Sequence, residues 1–89
     1  MSVSHAEHQE IQAMIDASSS DGLKDLKAKA EATLAHVNEH MSRMLTADER
    51  KAADVAIEIL VRIEATEKSG GWWFRTKRRM QLVQLYLGA

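Results

Sequence analysis

Apolar residues recur at helical intervals along most of this sequence. The longest run, in which each member follows the previous one by three or four residues, is Leu23, Leu26, Ala30, Leu34, Val37, Met41 and Met44. This spacing keeps all seven side chains on one narrow seam of a helix, as in helical bundles and short coiled coils. The seam therefore predicts a long helix that packs lengthwise against a neighbour.

Residues 47–68 are apolar around most of the helical circumference. The expected apolar face consists of Ala52, Val55, Ala56, Ile59, Leu60 and Ile63, flanked by Ile57 and Val61. Asp54, Glu58 and Arg62 form the one clear polar line. A helix with so much apolar surface is expected to lie centrally, with neighbours on at least two sides.

Start and stop signals divide the chain into four helical segments. Residues 4–7 (Ser-His-Ala-Glu) and 46–49 (Thr-Ala-Asp-Glu) have the S/T-x-x-E form of a capping box, which marks a helix start. The serine-rich segment 18–22 and the Ser-Gly-Gly segment 69–71 favour turns. These signals predict helices over about residues 5–17, 22–44, 47–68 and 72–87. The chain is thus expected to be a single all-α domain (residues 1–89), a small bundle of three to four mostly antiparallel helices joined by short turns.

Composition indicates how large the hydrophobic core can be and which cellular compartment the chain suits. The chain has 89 residues, of which 45% are hydrophobic, but thirteen of those forty residues are Ala. A core this modest gains from self-association, so we expect a homodimer or higher oligomer. The absence of Cys and of a signal-peptide pattern favours a reducing compartment, and we predict a cytoplasmic protein. No apolar stretch approaches the length of a transmembrane segment.

Aromatic and basic residues concentrate near the C-terminus. Residues 70–79 read Gly-Gly-Trp-Trp-Phe-Arg-Thr-Lys-Arg-Arg and hold three of the four aromatic and four of the twelve basic residues. Residues 1–69 carry a net charge of −5, and residues 70–89 carry +4. Trp, Tyr and Arg are enriched where binding energy concentrates at interfaces. The segment therefore predicts a surface that docks an acidic protein partner, with the contact set Trp72, Trp73, Phe74, Arg75, Lys77, Arg78 and Arg79.

The orientation of the last helix decides whether these rings are accessible. On a helical wheel the face with most apolar residues comprises Trp72, Trp73, Met80, Val83 and Leu87, with Lys77, Arg78, Gln81 and Gln84 opposite. In one interpretation the rings complete the small core and the basic residues keep the end soluble. In the other, the rings stay partly exposed beside arginines that have no carboxylate partners within the chain.

Other partners would use the same segment differently. Nucleic acid or a nucleotide is the first alternative, because exposed rings stack on bases and basic side chains neutralise phosphates. The overall charge of −1 and the lack of helix-turn-helix spacing weigh against a DNA-binding domain. A membrane surface is less consistent with a short segment on an otherwise acidic chain.

Histidine pairs suggest a second alternative, a metal-binding helical protein. His5 and His8 are three residues apart, and His36 and His40 are four apart, so two adjacent helices could assemble a four-nitrogen site. No complete metal motif such as H-E-x-x-H accompanies them. The sequence also lacks a G-x-S-x-G elbow and a phosphate-binding glycine loop, and its carboxylates are expected on solvent faces. We therefore predict a protein that is not an enzyme and needs no cofactor.

Overall fold

Four helices account for nearly all of the backbone that the structure describes. The computed structural model describes residues 3–39 and 45–87, which form no strand. The helices are α1 (His5–Ala17), α2 (Ser20–Glu39), α3 (Ala47–Glu67) and α4 (Trp72–Leu87). The prediction of an all-α helical bundle is confirmed.

The two capping boxes form as the sequence predicts. At the start of α1 the Ser4 hydroxyl accepts the Glu7 N–H at 3.2 Å, and the Glu7 carboxylate accepts the Ser4 N–H at 3.1 Å. At the start of α3, Thr46 and Glu49 exchange the equivalent bonds at 3.1 and 3.0 Å. Each box satisfies two backbone N–H groups that a helix start would otherwise leave without partners.

The connection between α1 and α2 is shorter than the sequence predicts. The sequence placed a turn over residues 18–22, whereas α2 already begins at Ser20. The Ser18 hydroxyl donates to the Met14 carbonyl at 2.7 Å, and the Ser19 hydroxyl accepts the Gly22 N–H at 3.2 Å. Because one serine ends α1 and the next caps α2, two residues are enough for the connection. Met41 and Met44, at the end of the predicted seam, lie outside the described residues.

The turn between α3 and α4 closes by a Schellman motif. The Gly70 N–H donates to the Ala65 carbonyl at 2.8 Å, and the Ser69 N–H donates to the Thr66 carbonyl at 3.3 Å. The left-handed residue of this motif is Ser69, with a φ of 52°, where glycine is usual. Gly70 is needed for another reason, which is the close approach of the Phe74 ring.

The core surrounds α3, which contacts all three other helices. One buried cluster joins α2, α3 and α4, and comprises Ala30, Leu34, Val37, Ala53, Ala56, Ile57, Leu60, Val61 and Leu82. A second joins α1 to α3 through Ile11, Ile15 and Ile63. Ile57 and Val61, expected only to flank the apolar face, are among the most deeply buried side chains because α4 covers their side of α3. Ala52, which was expected within that face, is exposed.

Gly70 and Gly71 allow a matched test of this turn. A Cβ on Gly70 would lie 2.7 Å from Cγ of Phe74, whereas a Cβ on Gly71 would meet no atom within 4 Å. We expect Gly70→Ala to lower the free energy of unfolding by about 1–2 kcal/mol, because Cβ and Cγ of Phe74 must move away from the added methyl group. Gly71→Ala should change it by less than about 0.5 kcal/mol. Urea denaturation followed by circular dichroism measures both, and equal losses in the two variants would contradict the packing of Phe74 on Gly70.

Candidate interaction surface on α4

Helix α4 packs with a face other than the one on which the helical wheel groups the most apolar residues. Leu82 is its buried residue, and Val83, Tyr86 and Leu87 pack beside it against the core. Trp72, Trp73 and Met80, which the wheel grouped with Val83 and Leu87, point outward with exposed fractions of 67%, 72% and 67%. The interpretation in which both indoles complete the core is therefore wrong.

The three clustered rings have separate environments. The Trp72 and Trp73 rings lie together at the surface, with centroids 6.0 Å apart and planes inclined by 39°. Phe74 is half-buried against Gly70, and the Lys68 ammonium lies 5.7 Å from its ring centroid. Phe74 thus helps to fix the turn, and the two indoles supply the exposed aromatic surface.

The exposed residues form a continuous strip along the helix. Trp73, Lys77, Met80 and Gln84 follow one another at intervals of four, three and four residues, and all four are exposed. We call these residues the outer face of α4. Trp73 and Met80 are two turns apart, about 10 Å along the axis. With Thr76 and Lys77 they line a shallow groove of about 300 Å³.

A buried carboxylate on α3 explains the orientation of α4. Glu58 is 3% exposed, and Arg79 of α4 donates to both of its oxygens at 2.9 Å. Arg62 donates from Nε at 3.0 Å, and His8 Nδ1 of α1 lies 3.4 Å away. Burial alone would raise the pKa of the Glu58 carboxyl, but the bonds and charge of Arg79, with His8 and Arg62, outweigh it and lower the pKa.

A second acidic residue holds the same side of α4. Arg78 donates to the two oxygens of Glu64 at 2.7 and 3.3 Å, and this pairing raises the pKa of the Arg78 guanidinium. Turning Trp73 inward would carry Arg79 away from Glu58 and leave this buried carboxylate with Arg62 alone, and breaking a buried ion pair is costly. The expectation that Arg78 and Arg79 have no carboxylate partners within the chain is therefore wrong. So is the expectation that carboxylates occupy only solvent faces.

Arg62 connects this network to α1. Its Nη1 makes a short hydrogen bond to the Gln12 side-chain oxygen, and its Nη2 lies 3.1 Å from His8 Nδ1. Glu58 thus receives groups from three helices. The sequence signal for this was a glutamate in the middle of an apolar helix with an arginine four residues on.

The other two basic residues of α4 are free of such partners. Within residues 3–39 and 45–87, neither Arg75 nor Lys77 makes an ion pair or a side-chain hydrogen bond. Lys77 is exposed in the outer face, and Arg75 is half-buried and lines a cleft on the opposite side of the helix. The predicted contact set is therefore divided between surface, turn and internal ion pairs.

The histidines occupy unrelated positions where they are described. His8 contacts Glu58 and Arg62, and His5 Nε2 lies 3.1 Å from the Gln9 side-chain nitrogen. His36 is exposed on α2, and His40 lies outside the described residues. In the described part of the chain no three His, Cys, Asp or Glu residues are grouped to hold a metal ion.

Comparisons with known proteins add no relative. None of the family models, curated proteins and solved structures searched matches this chain. Among the described residues, no helix is both long and apolar enough to cross a membrane.

Proposed function

We propose that this chain is a non-catalytic binding protein, an adaptor, regulator or inhibitor, which docks an acidic protein partner on the outer face of α4. The supporting observation is the exposure of Trp73 and Met80 by about two-thirds or more on a helix whose other side is packed. Large rings held at the surface by a rigid helix lose little side-chain entropy on binding. Trp is also among the residues that contribute most at interface centres.

The geometry of the outer face suits a helical partner. Intervals of four and three residues give the seam along which two helices pack side by side. Lys77 lies between Trp73 and Met80 and has no ion pair in the described ranges, so an acidic residue on the partner would complement it. The partner we propose is an amphipathic helix with an Asp or Glu within its apolar stripe. The proposal includes a cytoplasmic location, which the absence of Cys favours.

The internal ion pairs favour a protein partner over nucleic acid. Phosphates would have to compete with Glu58 and Glu64 for Arg79 and Arg78, which leaves Arg75 and Lys77 as the readily available cations of α4. Affinity for nucleic acid rises with the number of phosphate charges that basic side chains neutralise. Two cations therefore contribute only weak affinity. Apolar contact with Trp73 and Met80 does not depend on those arginines.

A selection from a displayed library of 20-residue peptides tests the proposed function. We expect the wild-type protein to enrich peptides with apolar residues at i, i+3 or i+4 and i+7 and with at least one acidic residue between them. Trp73→Ala should weaken the best peptide at least tenfold, as measured by fluorescence anisotropy. Leu85→Ala is the matched control, because Leu85 is 62% exposed but lies outside the outer face.

Two outcomes would contradict the proposal. Enriched peptides that bind Trp73→Ala as well as wild type would show that the outer face is not the docking site. Sedimentation of the wild type as a dimer that Trp73→Ala converts to monomer would identify the occupant as a second copy of the chain. Self-association was expected from the sequence, and this measurement decides between the two occupants.

A further inference from the structure

A cleft between α1, α3 and α4 lies on the side of α4 away from the outer face. Its volume is about 530 Å³, within the range of small-molecule sites. Ile57 and Val83 contribute apolar wall, and Arg75 and Trp72 lie along it. The Glu58 network, with Arg62 and Arg79, forms its polar part.

The cleft carries more positive than negative charge. Glu58 supplies one negative charge to two guanidinium groups, those of Arg62 and Arg79. Arg75 adds a third guanidinium, for which the described residues provide no carboxylate or other hydrogen-bond acceptor. The other acid in the lining is Asp54, so three guanidinium groups face two carboxyl groups and the excess charge is positive. An anion is therefore the complementary ligand, and Arg75 is the group with free donors to bind it.

Trp72 gives the same cleft an aromatic surface. The Trp72 side chain lines the cleft and remains 67% exposed. Its neighbour Trp73, whose ring centroid lies 6.0 Å away, lines the groove of the outer face and not this cleft. An exposed indole beside a guanidinium favours planar ligands, because rings stack on both groups.

We propose that this cleft binds a small organic anion in which a planar ring is joined to a carboxylate or phosphate. Arg75 holds the anionic group by paired hydrogen bonds, and the Trp72 indole stacks on the ring. The apolar wall formed by Ile57 and Val83 shields the ligand from water. This site is independent of the protein-docking function, which uses Trp73 and Met80.

Titration of the ¹⁵N-labelled protein, followed by two-dimensional NMR, tests the site. The probes are adenosine monophosphate and 2-naphthoate, which distinguish a phosphate from a carboxylate as the anionic group. Adenosine, which has the ring without the anion, and inorganic phosphate, which has the anion without the ring, are the controls. At least one ring-bearing anion should saturate with a Kd below about 1 mM, and shifts should centre on the Trp72 indole N–H, the Arg75 Nε–H and Val83. Adenosine and phosphate alone should bind at least tenfold more weakly.

Variants separate a specific site from general charge attraction. Arg75→Gln should weaken binding at least tenfold, and Trp72→Ala about fivefold or more. Lys77→Gln removes the same charge from the same helix outside the cleft and should leave the Kd unchanged. The proposal is overturned if neither anion saturates, if the shifts centre away from the cleft, or if Arg75→Gln and Lys77→Gln weaken binding equally. The peptide selection on Trp73 and Met80 can succeed or fail separately.

Discussion

Replacing Glu58 with Gln is expected to lower the free energy of unfolding by about 3 kcal/mol. The amide keeps the shape of the side chain but removes the charge that Arg79 and Arg62 share. Breaking a buried ion pair by altering one partner typically costs about 3–5 kcal/mol, and we expect the lower value because the Arg79 side chain is 37% exposed. For a fold of this size such a loss is a large share of the total stability.

Urea denaturation at pH 7 measures this loss, and acid provides a second readout. The folded-state pKa of Glu58 lies below the ordinary value of 4.5. Its contribution is therefore complete above that value and is lost as the pH falls through the folded pKa. Glu58→Gln should lose less stability than the wild type over that acid range. Glu67→Gln is the control, because the Glu67–Lys27 pair is exposed and 3.4 Å long and should contribute less than about 1 kcal/mol.

A different result for Glu58→Gln would contradict the role of the buried network. If Glu58→Gln and Glu67→Gln cost the same, the buried network does not hold α4 to α3. A further variant separates charge from packing, because replacing Glu58 and Arg79 together with Leu removes both charges. That double variant should recover part of the stability lost in Glu58→Gln.

Leu34→Ala is expected to cost about 3 kcal/mol. Leu34 is fully buried in the cluster that joins α2, α3 and α4, so its truncation removes apolar contacts and leaves a cavity. Buried Leu-to-Ala changes cost about 2–5 kcal/mol, depending on how far the surroundings relax. The urea midpoint should fall, with the slope of the transition unchanged.

Leu85→Ala is the matched control for Leu34→Ala. Leu85 has the same side chain but is 62% exposed, so its truncation should change stability by less than about 0.5 kcal/mol. A cost equal to that of Leu34→Ala would mean that Leu85 is covered in solution. In that case the side of α4 that carries Leu85 would already be occupied, and Leu85→Ala would not serve as an exposed control.

Local chemistry predicted the helix starts well, and apolar periodicity predicted part of the packing. The S/T-x-x-E signals at Ser4 and Thr46 are satisfied within one turn by the residues that carry them. The seam of α2 also holds where it is described, because Ala30, Leu34 and Val37 are buried. Both kinds of signal depend on residues close together in the sequence.

The orientation of α4 depends on residues that are far apart in the sequence. A helical wheel groups Trp72, Trp73 and Met80 with Val83 and Leu87, and it leaves open whether these residues pack inward or stay exposed. Glu64 and Glu58 of α3 form ion pairs with Arg78 and Arg79, and these pairs place both arginines on the side of α4 that faces α3. The wheel contains no information on acids in another helix. The aromatic residues of the candidate surface were identified from the sequence, whereas the arginines were assigned to the wrong environment.

The two bonds between Arg79 and Glu58 also determine how far α4 can slide along α3. A displacement by one helical turn would move the guanidinium about 5.4 Å, beyond hydrogen-bonding reach of the carboxylate. Leu82, Val83, Tyr86 and Leu87 recur at helical intervals, so apolar packing alone distinguishes poorly between neighbouring registers. This pair and the Arg78–Glu64 pair thereby select one axial position for the helix, and with it the height at which Trp73 and Met80 are presented to solvent.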